Sequence, residues 1–154
     1  MDPQTRLAQL GWTLPPCTPP KGLYRPVLII GDLAWTSGHL PVREDGSILA
    51  GRVGADLSAE EGARAARQAA LALLASLAAA LAGLDRIRRL VKLLGMVQCT
   101  PDFQAQPAVL NGASEVFAEV FGPERGVGAR SAVGVAALPL GAAVELEAVF
   151  QIEP

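Results

Sequence analysis

The sequence is short of the side chains that most often carry catalysis. It has one histidine, one tyrosine and two cysteines among 154 residues. Cys17 and Cys99 stand far apart, in no CxxC pair and with no histidine beside them. That spacing argues against a zinc site and a disulfide framework, and makes a reducing, cytoplasmic setting the expectation. Aromatic residues are 5% of the chain and charged residues 18%, with a formal net charge of −2. No basic cluster is larger than Arg86-Ile87-Arg88-Arg89. Phosphate binding rests on a basic surface and single-strand binding on stacked aromatics, so nucleic acid is not an expected partner. The longest apolar run, Ala69 to Leu81, is broken by Ser76 and too short to span a bilayer. The opening Met1-Asp2-Pro3-Gln4-Thr5-Arg6 has an early acid and no apolar h-region, which predicts no secretory signal.

What the chain has instead is aliphatic bulk. Hydrophobic residues are 51% of it, enough for a real core in one domain. Residues 1–21 read as an N-terminal arm, with Leu7, Leu10, Trp12 and Leu14 as anchors ahead of Pro15-Pro16-Cys17-Thr18-Pro19-Pro20. Prolines cannot donate to a ladder, so this arm runs extended along a single domain spanning 22–154. Val27–Ile30 and Leu33–Ser37 read as strands closed by the two-residue loop Gly31-Asp32. Ser58 and Glu61 form a capping box for a helix running to about Ala82, with Gly83 as its C-cap. Ile87 to Val97 reads as a strand buried on both faces, Ile87, Val91, Leu93 and Val97 on one and Leu90, Leu94 and Met96 on the other. Pro107 to Phe121 is a second helix, stopped by Gly122-Pro123.

Two more strands, Ala129–Ala137 and Val144–Ile152, flank the turn Leu138-Pro139-Leu140-Gly141. The order β-β-α-β-α-β-β is that of one α+β domain, with two helices on one face of a sheet. The other face, expected to hold Ala132, Gly134 and Ala136, is too apolar to sit in water, which implies a homo-oligomer. Within these last strands stand one cation, Arg130, and two carboxylates, Glu145 and Glu147. A charge among small and apolar residues is either paired or waiting for a ligand.

Several pieces of the chain, taken in order, resemble the YjgF/RidA family of enamine and imine deaminases. They are Gly22-Leu23-Tyr24, Trp35-Thr36-Ser37-Gly38-His39-Leu40-Pro41, Leu110-Asn111-Gly112, Ala129-Arg130-Ser131, and Leu138-Pro139 with Val144-Glu145-Leu146-Glu147. The resemblance covers roughly residues 22 to 152. It implies a chorismate-mutase-like α+β fold, assembled as a homotrimer whose sheets surround a central barrel, with ligand clefts between subunits. It implies that Arg130 grips the carboxylate of a small 2-imino or 2-enamino acid and that Glu145 positions the attacking water. Tyr24, Ser37, Gly38, Asn111 and Ser131 match positions that line the pocket. A guanidinium is a planar fork for carboxylate, and a hydrolysis that needs only orientation, water and a proton relay runs without metal or cofactor.

The chain departs from the better-known deaminases in three places. Ala132 stands where they have a cysteine, the loop 122–128 is longer and lacks the proline before Ala129-Arg130, and His39 stands where glutamine is common. These mark a divergent subgroup. A blander reading stays open for each candidate. Arg130 as an internal partner of Glu145 or Glu147, Ser37-Gly38 as turn chemistry, Tyr24 as a packed aromatic and His39 as an interface residue are all ordinary. Asn111 and Gly112 are poor choices inside a helix, which points to close approach of another chain or a ligand. A small-carboxylate-binding trimer without catalysis is the alternative function. Endoribonuclease, a label some relatives carry, fits the acidic balance poorly.

Overall fold

Ser58 starts the long helix as its spacing predicts. In the computed structural model, which describes residues 1–17 and 19–154, the Ser58 hydroxyl accepts the Glu61 N–H at 3.1 Å. The Glu61 carboxylate accepts the Ser58 N–H at 2.7 Å, so two otherwise orphaned donors are satisfied reciprocally. Ser58→Ala is expected to cost about 1 kcal/mol of unfolding free energy, read from a urea transition.

The chain runs α1 (Pro3–Gln9), β1 (Val27–Ile30), β2 (Leu33–Thr36), α2 (Ala59–Leu81), β3 (Ile87–Gln98), α3 (Gln106–Phe121), α4 (Pro123–Gly126), β4 (Ala129–Val135), a 3₁₀ turn (Pro139–Gly141) and β5 (Val144–Ile152). Gly31 takes φ 61° in the β1–β2 turn, as a tight hairpin needs. At the end of α2 the left-handed residue is Ala82 (φ 57°) rather than the expected Gly83, and the Gly83 N–H closes onto the Ala78 carbonyl at 2.8 Å. The stretch 122–128, read from sequence as loop, contains the single turn α4. It is held where the Arg125 guanidinium donates to the Arg88 and Ile87 carbonyls.

The sheet order is β1-β2-β5-β3-β4, with β3 and β4 parallel and the other pairs antiparallel. The last two strands are therefore not neighbours. The α3 crossover lays β4 parallel on one edge of β3, which leaves only the other edge for β5. The two faces of β3 also differ from the sequence pattern. Register slips at Ile87/Arg89 and Leu90/Lys92 insert extra residues, and Leu90 joins Leu93 and Val97 in the core while Val91 turns outward.

Both long helices cover one face. Leu73, Leu74 and Leu77 of α2 and Leu110, Val116 and Phe117 of α3 are fully buried there, with Leu93, Leu146 and Phe150 from the sheet. Phe117 meets Phe150 edge-on, with ring centroids 5.6 Å apart. Arg130 and Ala148 flank the core residue Leu93 in register, so the alternate positions Arg130, Ala132 and Gly134 face the helices. This reverses the expected open face. A Cβ on Gly134 would stand 2.8 Å from Cys99 Sγ and 2.9 Å from Gln106 Nε2. The uncovered face holds Trp35, Lys92, Leu94, Met96, Ser131, Val133, Glu145 and Glu147 instead. Trp35 and Val133 keep 47% and 43% of their surface exposed, an apolar surface on the side that no helix covers. The arm, expected to run extended, instead opens with helix α1, capped by Asp2 accepting the Thr5 N–H at 2.9 Å. Leu7 of this helix lies in the core and Trp12 lies 5.6 Å under the Arg67 guanidinium.

Candidate functional site

Arg130 reaches its position because a glycine in β3 leaves room for a leucine side chain of α3. At Gly95 of β3 a Cβ would overlap Leu110 of α3, so α3 settles directly on the sheet. That brings Asn111 and Ser114, three residues apart on one flank of α3, beside β4. Arg130 Nη1 donates to Asn111 Oδ1 at 2.9 Å and to Ser114 Oγ at 3.0 Å, and Nη2 donates to the Pro107 carbonyl at 3.4 Å. All three acceptors are neutral. The ion pairs among the described residues join Arg6 to Glu119, Arg67 to Glu115 and Arg88 to Glu153, and none includes Arg130. The internal pairing of Arg130 with Glu145 or Glu147 is thereby excluded within the chain. A half-exposed guanidinium is oriented here without being neutralised, which is what an incoming carboxylate needs.

A second group of residues gathers at the end of β2. The Ser37 N–H donates to the Pro26 carbonyl at 2.9 Å and its hydroxyl to the Arg25 carbonyl at 2.6 Å. These bonds tie residues 25–26, and Tyr24 just before them, to the strand end. His39 then bridges to Leu146 of β5 through two backbone bonds of 2.7 and 3.0 Å. Gly38 is thus pressed against Glu145, whose carboxylate occupies the space a Gly38 Cβ would need. Burial, and then the like charge of Glu147, raise the Glu145 carboxyl above the usual glutamate range. Tyr24 and Gly38 also line a cavity of about 380 Å³ that opens beside this group.

The two groups do not meet in one chain. Arg130 lies on edge strand β4 facing the helices, and Glu145 lies on β5 facing the open side. Between them stands β3, two strand spacings or about 10 Å of sheet. Ser131 goes with neither: it turns to the open face and accepts the Lys92 ammonium at 2.8 Å. Sequence reasoning missed Ser114 and the Pro107 carbonyl. The i,i+3 spacing from Asn111 carried the first signal, but only the register of β4 says which flank of α3 Arg130 can reach. No group of three or more His, Cys, Asp or Glu side chains that could hold a metal ion lies together among the described residues.

The model of the family described as "YjgF/chorismate mutase-like, putative endoribonuclease" matches residues 4–150. The chain belongs to this family. The match begins at residue 4, within the arm. Protein TCP17 of Trypanosoma cruzi is 43% identical over 146 residues, 95% of this chain and 91% of that one. A structure of unknown function from Agrobacterium tumefaciens, also 43% identical, superposes with a TM-score of 0.90 over 99% of this chain and 92% of its own. RidA from an Antarctic Psychrobacter is 26% identical, with a TM-score of 0.60 over 87% of this chain and 92% of its own. The five-strand mixed sheet with helices on one face is the YjgF fold. Likeness is much greater to the Agrobacterium protein than to RidA, in keeping with the departures at Ala132, loop 122–128 and His39.

Proposed function

We propose that this YjgF-family chain hydrolyses small 2-imino and 2-enamino acids to 2-oxo acids and ammonia. The observation that carries the reading is the Arg130 guanidinium, oriented by three neutral oxygens and matched by no carboxylate. The substrate carboxylate supplies the missing charge through the guanidinium fork. An enamino acid first takes a proton on carbon to become the imine. Glu145 then takes a proton from water as the oxygen adds to the imine carbon and passes it to nitrogen. It relays the carbinol hydroxyl proton to nitrogen as the carbon–nitrogen bond breaks, so that both water protons leave with ammonia and the carbonyl remains. Its elevated pKa suits both transfers. Since Arg130 and Glu145 lie on opposite faces of one sheet, a working cleft joins Arg130 of one subunit to the Gly38–Glu145 group of another. A homotrimer with the open faces turned inward would provide such clefts and would cover Trp35 and Val133. A ribonuclease reading, which the family description raises, finds neither a basic surface nor stacked aromatics here.

The test pairs an amino-acid oxidase, which generates imines in situ, with wild-type protein and Arg130→Ala. Turnover by wild type and its loss in the variant support the reading, and equal rates in the two remove it. Binding of 2-oxo acids with no turnover of any imine would leave a carboxylate-binding protein instead. Sedimentation should give three times the mass of the chain.

The elevated Glu145 pKa has a kinetic signature. With the carboxylate as base, kcat/KM rises with pH along a limb above the ordinary glutamate range. Glu145→Gln should lower the rate and flatten that limb, and a pH profile of both proteins decides it.

A further inference from the structure

The cavity beside Gly38 has a polar floor that the reaction does not use. Its lining is mainly apolar, with Pro16, Pro19 and Pro20 of the arm, Leu40 and Ile48, and it includes Lys21. The floor is a chain of hydrogen bonds from three separate elements. His39 Nδ1 lies 2.8 Å from the Ser37 carbonyl, and Nε2 lies 2.8 Å from Ser76 Oγ on α2. Cys17 Sγ of the arm stands 3.9 Å from the same Ser76 oxygen.

The protons on this floor follow from elimination. A carbonyl only accepts, so Nδ1 carries hydrogen and donates to Ser37. Burial pushes the imidazole pKa down, against a smaller opposing pull from the Ser37 carbonyl, so the ring is neutral and Nε2 is bare. Ser76 must therefore spend its hydroxyl proton on Nε2, and what its oxygen offers the cavity is a lone pair. Among the described residues, the weak donor Cys17, on the exposed arm, is what meets that oxygen from the cavity side. A ligand end that donates a hydrogen bond fits such a floor. A carboxylate brings only acceptors and finds no donor on Ser76, whatever attraction Lys21 of the lining adds, and that same ammonium disfavours a second cation.

We infer that this cavity is the side-chain subsite, and that the chain selects 2-imino acids whose side chain has an apolar stem ending in a neutral hydrogen-bond donor, read by Ser76 and His39. The inference rests on the proposed hydrolase reading, because the cavity opens at Gly38, against which the Glu145 carboxylate lies. Gly38 is thus shared by the cavity and by the contact with Glu145, so a side chain held in the cavity would direct the reacting carbon toward Gly38 and that carboxylate.

Glutamine and glutamate give an isosteric pair that differs in this terminal group. Calorimetry with the two corresponding 2-oxo acids and that of leucine measures selection without turnover, and the oxidase-coupled assay on the three imines measures it with turnover. The wild type should favour the amide-ended compound over both others at least tenfold. In Ser76→Ala that ratio should fall about tenfold, and Ala72→Leu, which fills the cavity from α2, should abolish it with the fold intact by circular dichroism. Equal binding of the amide and the acid, or a ratio that survives both variants, overturns the inference. Turnover of all three imines without preference sinks the subsite and keeps the hydrolase. Selective binding with no turnover does the reverse.

Discussion

Arg130→Ala is expected to abolish measurable binding of 2-oxo acids and to cut kcat/KM for imine hydrolysis by between about 30-fold and several thousandfold. The range comes from the cost of truncating one partner of a desolvated, hydrogen-bonded charge pair, about 2–5 kcal/mol at about 1.4 kcal/mol per tenfold. Within the chain the groups that hold the guanidinium are an amide, a hydroxyl and a carbonyl, none of which carries a charge that could replace it. Those same neutral partners keep the variant folded. Removing Arg130 strands no buried carboxylate, so the thermal midpoint should move little while activity is lost. Arg130→Lys separates charge from geometry: an ammonium restores attraction but not the two-pronged fork, and partial recovery is expected. Arg130→Ala protein that is unfolded, or that binds 2-oxo acids as the wild type does, would show that the residue serves the fold.

Gly112→Ala is expected to destabilise the protein by about 2 kcal/mol or more, although alanine is the better helix former. The new Cβ would overlap the Ala63 carbonyl oxygen and stand 3.1 Å from the Ala63 Cα. These are backbone atoms of α2 and cannot rotate aside, so the helices must part along a crossing where Val109, Ala113 and Val116 are fully buried. Overpacking of this kind costs up to about 3 kcal/mol and sometimes more, and the propensity gain of about 1 kcal/mol does not offset it. A loss of about 4–8 °C in the thermal midpoint follows for a domain of this size. Because Asn111 is the neighbouring residue, a shifted α3 should also loosen Arg130 and weaken 2-oxo acid binding. A midpoint unchanged or raised would mean that the two helices have room to spare.

Gly112 also marks where one-dimensional reading reaches its limit. The breach of helix propensity was visible, and the expectation was another chain or a ligand in contact. The contact is α2 of the same chain. Propensity records that something comes close, whereas the identity of the neighbour depends on how two helices cross. His39 is similar. The sequence marked it as a departure and an interface candidate but not its partner Ser76, which approaches it only when α2 is laid across the strand end.

The two long helices, the capping box, the β1–β2 hairpin and the family were legible from the sequence, because each is written in residues near one another along the chain. Arg130, Glu145 and Gly38 could be picked out for the same reason. What the tertiary structure alone decided is which of them share a place. The parallel β3–α3–β4 crossover inserts β3 between the two strands that sequence set side by side. Period-2 alternation tells which residues share a face but not which face is covered, so Arg130 came to the helix side and Glu145 to the open side. Pairing partners and the covered face are fixed by contacts between distant segments, and no local pattern encodes them.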